Sequence, residues 1–337
     1  MILPFLLIFS VGFLVTFLLM PSWITKAKQL GLIWDDMNKI KSDKVAGSGG
    51  LIVVLGFLIS VLAYIAFRVF YLKSTDNLIE IFALISSILI ISFIGFIDDF
   101  MGWKRGGLSI KSRLILVLLS SIPLVVINVG REIISIPFIG QINLGLIYPL
   151  ILIPLAILGT TTTFNFLAGF NGLEAGQGTI LLSSLALVAY NTNSPWLSVI
   201  LMSMVFPLLA FLIFNFYPAK VFPGDVLTYS VGSLIAISAI LGNFEKVAIF
   251  FFIPYILEVI LKSRGKLKKY SFGKPNSNDS LDLLYPRLYG LTHVSILILK
   301  KMNIKPTEKK VVYLIWAFQI LVILIGFIIF RNGIFIK

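Results

Sequence analysis

Two adjacent carboxylates, Asp98 and Asp99, stand in GFIDDFMGWKRGGLSIKSR at 95–113, and a third acid, Asp225, stands in FYPAKVFPGDVLTYSVGS at 216–233. Between them, FNFLAGFNGLEAGQG at 164–178 sets Asn165, Asn171, Glu174 and four glycines into an otherwise apolar stretch. Carboxylate and amide oxygens ligate hard cations, and the same groups bind sugars and bases. Acids at a membrane edge are costly and are usually kept for a reason. Adjacent helix positions point about 100° apart, so the two aspartates are expected to do different jobs. At a helix C-terminus the dipole disfavours them. A cation, a nearby Lys or Arg, or a raised pKa suited to a base would compensate. Asp225 follows Pro223 and Gly224 and opens an apolar run, where a helix N-terminus favours its ionised form. The competing readings are solvated loop acids at 98–99, a capped glycine-rich turn at 164–178 and a simple N-cap at 225.

Two more segments could take part. Lys262, Arg264, Lys266, Lys268 and Lys269 crowd into KSRGKLKKYSFGK at 262–274, where they could grip phosphates. Charge alone reads the same run as a topology signal with attraction to anionic lipid. DDMNK at 35–39, with Lys39, precedes GSGG at 47–50; alone it is a polar loop with a hinge.

The elements that must hold these groups are apolar. Of 337 residues, 58% are hydrophobic and 13% charged, about half the charge of a soluble domain, and mean hydropathy is +1.01. Runs near 20 residues recur along the chain, each able to span about 30 Å of hydrocarbon. They lack the alternation of an outer-membrane barrel. The expectation is an all-α, polytopic integral membrane protein forming one membrane-embedded domain over 1–337. About ten spans are expected, near 2–20, 49–70, 78–97, 113–130, 144–164, 179–191, 197–214, 226–241, 246–261 and 311–330. The sixth is short for a full crossing. The N-terminal run lacks a basic n-region and a small-x-small cleavage site, so it reads as a retained span.

Lysine and arginine set the orientation. Lys26, Lys28, Lys39, Lys41, Lys44, Lys104, Arg105, Lys111 and the 262–274 run fall on one side; Arg68, Lys73, Arg131, Lys246, Arg331 and Lys337 fall on the other. The first side is expected to be cytoplasmic, with both termini outside. Every chemically suggestive cluster lies on that side. The absence of cysteine excludes thiolate metal sites, and the single His293 excludes multi-histidine ones. The net charge of +13 is accounted for by those loops, so no nucleic-acid partner is expected. Acids and amides from separate spans beside a basic loop suit a cation and a polyphosphate meeting a membrane-embedded partner.

NFLAGFNGLEAGQ closely resembles the signature of the polyprenyl-phosphate N-acetylhexosamine-1-phosphate transferase family, in its eukaryotic and archaeal dolichyl-phosphate N-acetylglucosamine-phosphotransferase branch. GFIDDFMGWKRG resembles the family's aspartate pair, VFPGDVLTY its Gly-Asp motif and DDMNK its first-loop motif, in the same order. The resemblance covers about residues 1–330. It implies Mg²⁺-dependent transfer of a sugar 1-phosphate from a UDP-sugar, UDP-N-acetylglucosamine in this branch, to a polyprenyl (dolichyl) phosphate, with Mn²⁺ a possible substitute ion. The products are a sugar-diphospho-lipid and UMP, a start to lipid-linked glycans for N-glycosylation.

Residue by residue, the resemblance implies that Asn165 and Asp225 help hold Mg²⁺. Asp98 and Asp99 serve the lipid phosphate and metal region, one of them a candidate base. Asn171 and Glu174 contribute to nucleotide-sugar recognition. The basic loop within 262–310 closes over the sugar and diphosphate through Lys262, Arg264 and Lys266, with Arg264 the first choice, and Lys39 lines the lipid-phosphate side. The family's diphosphate-contacting lysine falls at Arg113 in a gap-free reading, with Lys111 two residues earlier, and either could serve. The cell-wall branch, which transfers phospho-muramoyl-pentapeptide, carries a histidine cluster that this chain lacks. Residue usage with no cysteine suggests an archaeal source. Membrane lipid and a second copy of the chain, as a homodimer, are the further expected partners. A transporter or flippase, and a non-catalytic scaffold, are the rival classes. The first expects acids at span midpoints and internal repeats; the second leaves the motif register unexplained.

Overall fold

The computed structural model describes residues 2–40, 44–130, 133–136 and 140–335, without the side chains of Ile2, 103–105 and 131–142. Lys41, Arg131 and Lys337 lie outside the described residues, as do the side chains of Lys104 and Arg105. In hydrocarbon every backbone polar group must be satisfied within its own segment, so apolar runs close into helices.

The described helices are α1 (Ile2–Leu30), α2 (Gly50–Ala66, continued by a π turn Phe67–Tyr71), α3 (Leu78–Arg105), α4 (Ile110–Leu119), α5 (Ile122–Val126), α6 (Ile153–Phe164, after a π turn Tyr148–Leu152) and α7 (Leu173–Asn191). There follow α8 (Pro195–Asn215), α9 (Gly224–Gly242), α10 (Glu245–Phe251), α11 (Ile253–Ser263), α12 (Leu291–Lys301), α13 (Glu308–Ile329) and α14 (Arg331–Ile334). Among the described residues seven helices are long and apolar enough to cross a membrane, with Tyr148–Phe164 a shorter apolar segment. The architecture is that of a polytopic helical membrane protein.

Helix α9 is the central column. Every residue from Val226 to Ile240 is buried, and the helix packs against α2, α3, α6, α7 and α8. On the outer helices, large apolar side chains such as Leu3, Leu18, Phe93 and Ile328 are exposed, the residue types that face lipid tails.

The fold corrects several sequence-based expectations. Beside the helices, which dominate as expected of the class, three short antiparallel two-stranded ribbons join the loops, β1 (Ile33–Asp35) with β2 (Lys44–Ala46), β3 (Ile133–Ile136) with β4 (Gly140–Asn143), and β5 (Lys274–Pro275) with β6 (Leu281–Asp282). The expected span 113–130 is two short helices. Between them the Ser120 and Ser121 hydroxyls turn back onto the carbonyls of Val117 and Leu118. The expected span 246–261 breaks between α10 and α11, where Pro254 sits in the first turn of α11. The third span continues to Arg105, so Asp98 and Asp99 sit inside a helix and not at its end. The sixth span begins at Leu173, which draws Glu174 and Gln177 out of the expected loop and into a helix. The segment 262–310 holds a ribbon and α12 as well as loop.

Candidate active site

The two aspartates diverge because of what α3 packs against. Gly95 and Asp99 are four residues apart and share one helix face. A Cβ at Gly95 would stand 2.7 Å from the Asp225 backbone carbonyl, so glycine lets the start of α9 lie directly on α3. One turn later the Asp99 carboxylate meets that start: Asp225 N–H donates to Asp99 Oδ1 at 2.8 Å. Asp99 therefore caps α9 from another helix, satisfying a donor that the helix itself leaves open. Its Oδ2 is buried with no aligned donor.

Asp98 turns instead toward α4. Ser109 caps α4 by accepting the Ser112 N–H, which sets Arg113 in the first turn. Arg113 Nε lies 2.7 Å from Asp98 Oδ2, an ion pair more than an aligned hydrogen bond. The Tyr229 hydroxyl donates to the same oxygen at 3.2 Å, and Leu108 N–H donates to Oδ1 at 2.8 Å. With 3% of its surface exposed, Asp98 is enclosed by donors on both oxygens.

Asn165 ends α6 as its C-terminal cap. Its Nδ2 donates to Asp225 Oδ1 at 3.1 Å, and Thr228 Oγ1 donates to Asn165 Oδ1 at 3.1 Å. Asp99, Asn165 and Asp225 line a cavity of about 430 Å³ together with Asp36, Phe170, Glu174 and Phe272. Among the described residues no three His, Cys, Asp or Glu side chains converge tightly enough to hold a metal alone. Magnesium, however, usually takes one or two carboxylates and completes its shell with water and substrate phosphates. The carboxylates of Asp99, with its unsatisfied buried Oδ2, and of Asp225 fit that donor set; Asn165 faces Asp225 with its Nδ2 and would offer its oxygen to a metal only by turning its amide over.

The first loop contributes a further part of the lining. Asp36 is buried, pairs with Lys39 Nζ at 2.8 Å and accepts from Asn171 Nδ2 at 2.9 Å. Asn171 also gives its backbone N–H and Nδ2 to Glu308 Oε1, at 2.7 and 2.8 Å. Asn171 is thus a pillar between the first loop and the start of α13, behind the cavity surface. Glu174 does line the cavity, and its Oε1 accepts the Gly169 N–H at 2.8 Å. Lys39 stands over the Tyr217 ring, 5.0 Å from its centroid.

The structure does not bring the basic loop residues into the cavity wall. Lys262 is buried, 3.8 Å from Glu258 Oε1 and over the Phe166 ring. Arg264, Lys266 and Lys111 are exposed and lie outside the lining. Of the two candidate diphosphate cations, Arg113 is the one whose charge reaches Asp98 and Asp225. His293 serves the backbone: its Nδ1 accepts Tyr289 N–H at 3.2 Å and its Nε2 lies 3.1 Å from Phe272 O. Burial pushes its pKa below the usual imidazole range. Sequence reasoning missed Asp36, Asn38, Thr228, Tyr229, Phe272 and Glu308 as site components. For the first two the signal was present in DDMNK; Glu308, in PTEKK, had none.

The profile of glycosyl transferase family 4 matches residues 81–243, which carry the aspartate pair, the 164–178 segment and Asp225. Over 97% of its length the chain is 36% identical to a Saccharolobus solfataricus protein, of which 96% is covered. The chain belongs to glycosyl transferase family 4. That archaeal protein is provisionally named a UDP-N-acetylglucosamine–dolichyl-phosphate N-acetylglucosaminephosphotransferase. A Dictyostelium discoideum protein bearing that name without reservation is 32% identical, over 73% of this chain and 68% of its own. A phospho-N-acetylmuramoyl-pentapeptide-transferase of Halalkalibacterium halodurans is also 32% identical, over 77% of this chain and 84% of its own. The match to this family thus agrees with the resemblance carried by the sequence motifs.

Proposed function

We propose that this membrane enzyme transfers N-acetylglucosamine 1-phosphate from UDP-N-acetylglucosamine to a polyprenyl (dolichyl) phosphate. An oxygen of the lipid phosphate attacks the β-phosphorus of the donor, the bond from that phosphorus to the α–β bridging oxygen breaks, and UMP leaves with that oxygen. The observation that carries the reading is the Asp99–Asn165–Asp225 wall at the polar end of an apolar bundle, where a lipid phosphate and a water-soluble donor can meet. The names of the archaeal and Dictyostelium relatives select the donor and acceptor.

Asp225, Asn165 and Asp99 are assigned to a divalent cation, Mg²⁺ with Mn²⁺ a substitute. When bound it would neutralise charge on the donor's phosphates. The protein's own part is positioning and charge. Asp99 holds the first turn of α9 so that Asp225 stays at the cavity wall. Arg113, preferred here to Lys111, is kept beside the acids by Asp98 and supplies positive charge for the diphosphate. Because Asp98 is enclosed by Arg113, Tyr229 and Leu108 N–H, we assign it to anchoring. Glu174 and the first loop face the donor, and Asn171 supports them. Lys39, Lys262, Arg264 and Lys266 are assigned to the rim, where the phosphates enter.

We assign the polar end to the cytoplasmic side, on the excess of Lys and Arg there. The chain is read as one domain with 262–310 as its closing element. The seven long helices, Tyr148–Phe164 and the broken pairs 110–126 and 245–263 would make ten crossings. Both termini then lie outside, supported by α1 running into the first loop at the site and α13 running out of it. A phospho-muramoyl donor fits less well, because the lone His293 is engaged with backbone. A transporter is disfavoured because the acids of the candidate site, Asp98, Asp99, Glu174 and Asp225, gather at one end of the bundle and not at span midpoints.

The test is to incubate purified protein with Mg²⁺, a polyprenyl phosphate and UDP-N-acetylglucosamine and to identify the released nucleotide. Lipid-dependent UMP is expected. Release of UDP would mean plain glycosyl transfer and would overturn the mechanism.

A further inference from the structure

Asn38 is buried, with 5% of its surface exposed, yet it lies in a loop between β1 and β2. Both polar atoms of its side-chain amide are engaged. Nδ2 donates to Gly169 O at 2.7 Å, and Oδ1 accepts Gly273 N–H at 3.0 Å. One amide therefore joins the turn after α6 to the segment before β5, two stretches about a hundred residues apart in the chain. Between those anchors stands Phe272, which lines the cavity. Its ring rests on Gly169, where a Cβ would come within 2.6 Å of the ring edge. The rest of the segment is pinned from behind: Thr292 Oγ1 donates to Ser271 O at 2.6 Å, and His293 Nε2 lies 3.1 Å from Phe272 O.

Only an amide of this length meets both needs, since one partner is a carbonyl and the other an N–H. A buried pair of this kind is costly to leave half made. The Thr292 and His293 contacts hold the segment to α12, and Ser271 Oγ donates to Phe166 O at 3.3 Å; among the described residues, Asn38 is what hydrogen-bonds it to the loop that carries Asp36.

We propose that Asn38 is a positioning residue for the donor: its amide fixes the Phe272 ring as the wall against which the nucleotide sugar is held. The inference rests on the transferase reading of the cavity. Asn38 itself touches no reacting atom, and its effect passes through Phe272.

The experiment is calorimetric titration of UDP-N-acetylglucosamine, without lipid phosphate, into wild type, Asn38→Asp, Phe272→Ala and the double variant. Asn38→Asp keeps the acceptor for Gly273 and replaces the donor to Gly169 by an oxygen. Donor affinity is expected to fall about tenfold in Asn38→Asp, on the order of one buried hydrogen bond. KM for lipid phosphate should stay within about twofold, a split that a general loss of fold would not give. The double variant should bind no more weakly than Phe272→Ala, the coupling expected when one residue acts through the other. Amide exchange of Gly273 should remain slow in Asn38→Asp and become fast in Asn38→Ala. Undiminished donor affinity in Asn38→Asp, or additive losses in the double variant, overturns the proposal. A wild type that binds no UDP-sugar overturns the transferase reading itself, which separates the two failures.

Discussion

The Asp99 carboxylate accepts the backbone N–H of Asp225 at 2.8 Å, so one acid of the pair on α3 caps the helix that presents the candidate metal-binding acid. Asp98, next to it in sequence, faces α4 and is held by Arg113. The pair thus divides into a carboxylate that builds the cavity wall and one that anchors a cation.

Gly224 sits at this junction with φ +70°, and a Cβ there would stand 2.1 Å from Asp99 Oδ2. Gly224→Ala is expected to force that backbone into a region alanine disfavours, at about 1–3 kcal/mol, and to push Asp99 off the α9 cap. Activity should fall steeply even though no polar group has been removed. Wild-type rates of UMP release from this variant would refute the coupling.

Asp225→Ala and Asn165→Ala should each lower lipid-dependent UMP release by about 10²-fold or more. Chelation of divalent ions should abolish the wild-type rate, and Mg²⁺ should restore it, with Mn²⁺ partly effective. Persistence of rapid, chelator-resistant turnover in Asp225→Ala would remove that residue from the metal assignment.

Arg113→Ala leaves Asp98 enclosed without its cation. Breaking a buried ion pair from one side typically costs about 3–5 kcal/mol, and the partial exposure of Arg113 places this case toward the lower end. Thermal melting in detergent should show a loss for Arg113→Ala larger than for the Asp98→Asn, Arg113→Met double variant, in which no uncompensated charge remains. Equal losses would show that the pair carries no coupling.

Glu308→Ala strands the buried Asn171 N–H and amide, both of which donate to Glu308 Oε1. A loss of about 1–3 kcal/mol is expected, with a higher KM for the UDP-sugar because the first loop loses its pillar. Glu308→Gln retains an acceptor oxygen and should recover most of both. Melting curves and initial rates for the two variants decide the matter.

His293 works in its neutral form, since Nδ1 must accept the Tyr289 N–H. Burial lowers its folded pKa, opposed by the Phe272 carbonyl and reinforced by the charge of Lys262; the Tyr285 ring packs edge-on against it. Its stabilising contribution is complete above the ordinary imidazole pKa of about 6.5 and is lost as pH falls through the lower folded value. On acidification the wild-type melting temperature should fall further than that of His293→Gln. Parallel pH profiles would show that folding leaves the pKa of the ring unchanged.

Several things were fixed by the sequence on its own. Apolar runs of bilayer length dictate helices, because no other structure satisfies the backbone in lipid without a barrel's alternation. The polar residues of 95–113, 164–178 and 216–233 could not be core filler in such a chain, and their types already indicated cation and phosphate chemistry. What the sequence left open is set by partners from distant elements. Whether Asp98 or Asp99 faces the cavity depends on Gly95 bringing α9 against α3 and on Ser109 placing Arg113. Glu308 and Asn38 act through contacts spanning more than a hundred residues, to which no local pattern points. Helix ends were also hidden: lipid-facing and core-facing residues are both apolar, so periodicity could not reveal the breaks at Ser120–Ser121 and before Pro254, or the extra turns of α3 and α7. In a membrane protein hydrophobicity marks which segments are buried in lipid or core, and only tertiary packing determines which polar atoms meet.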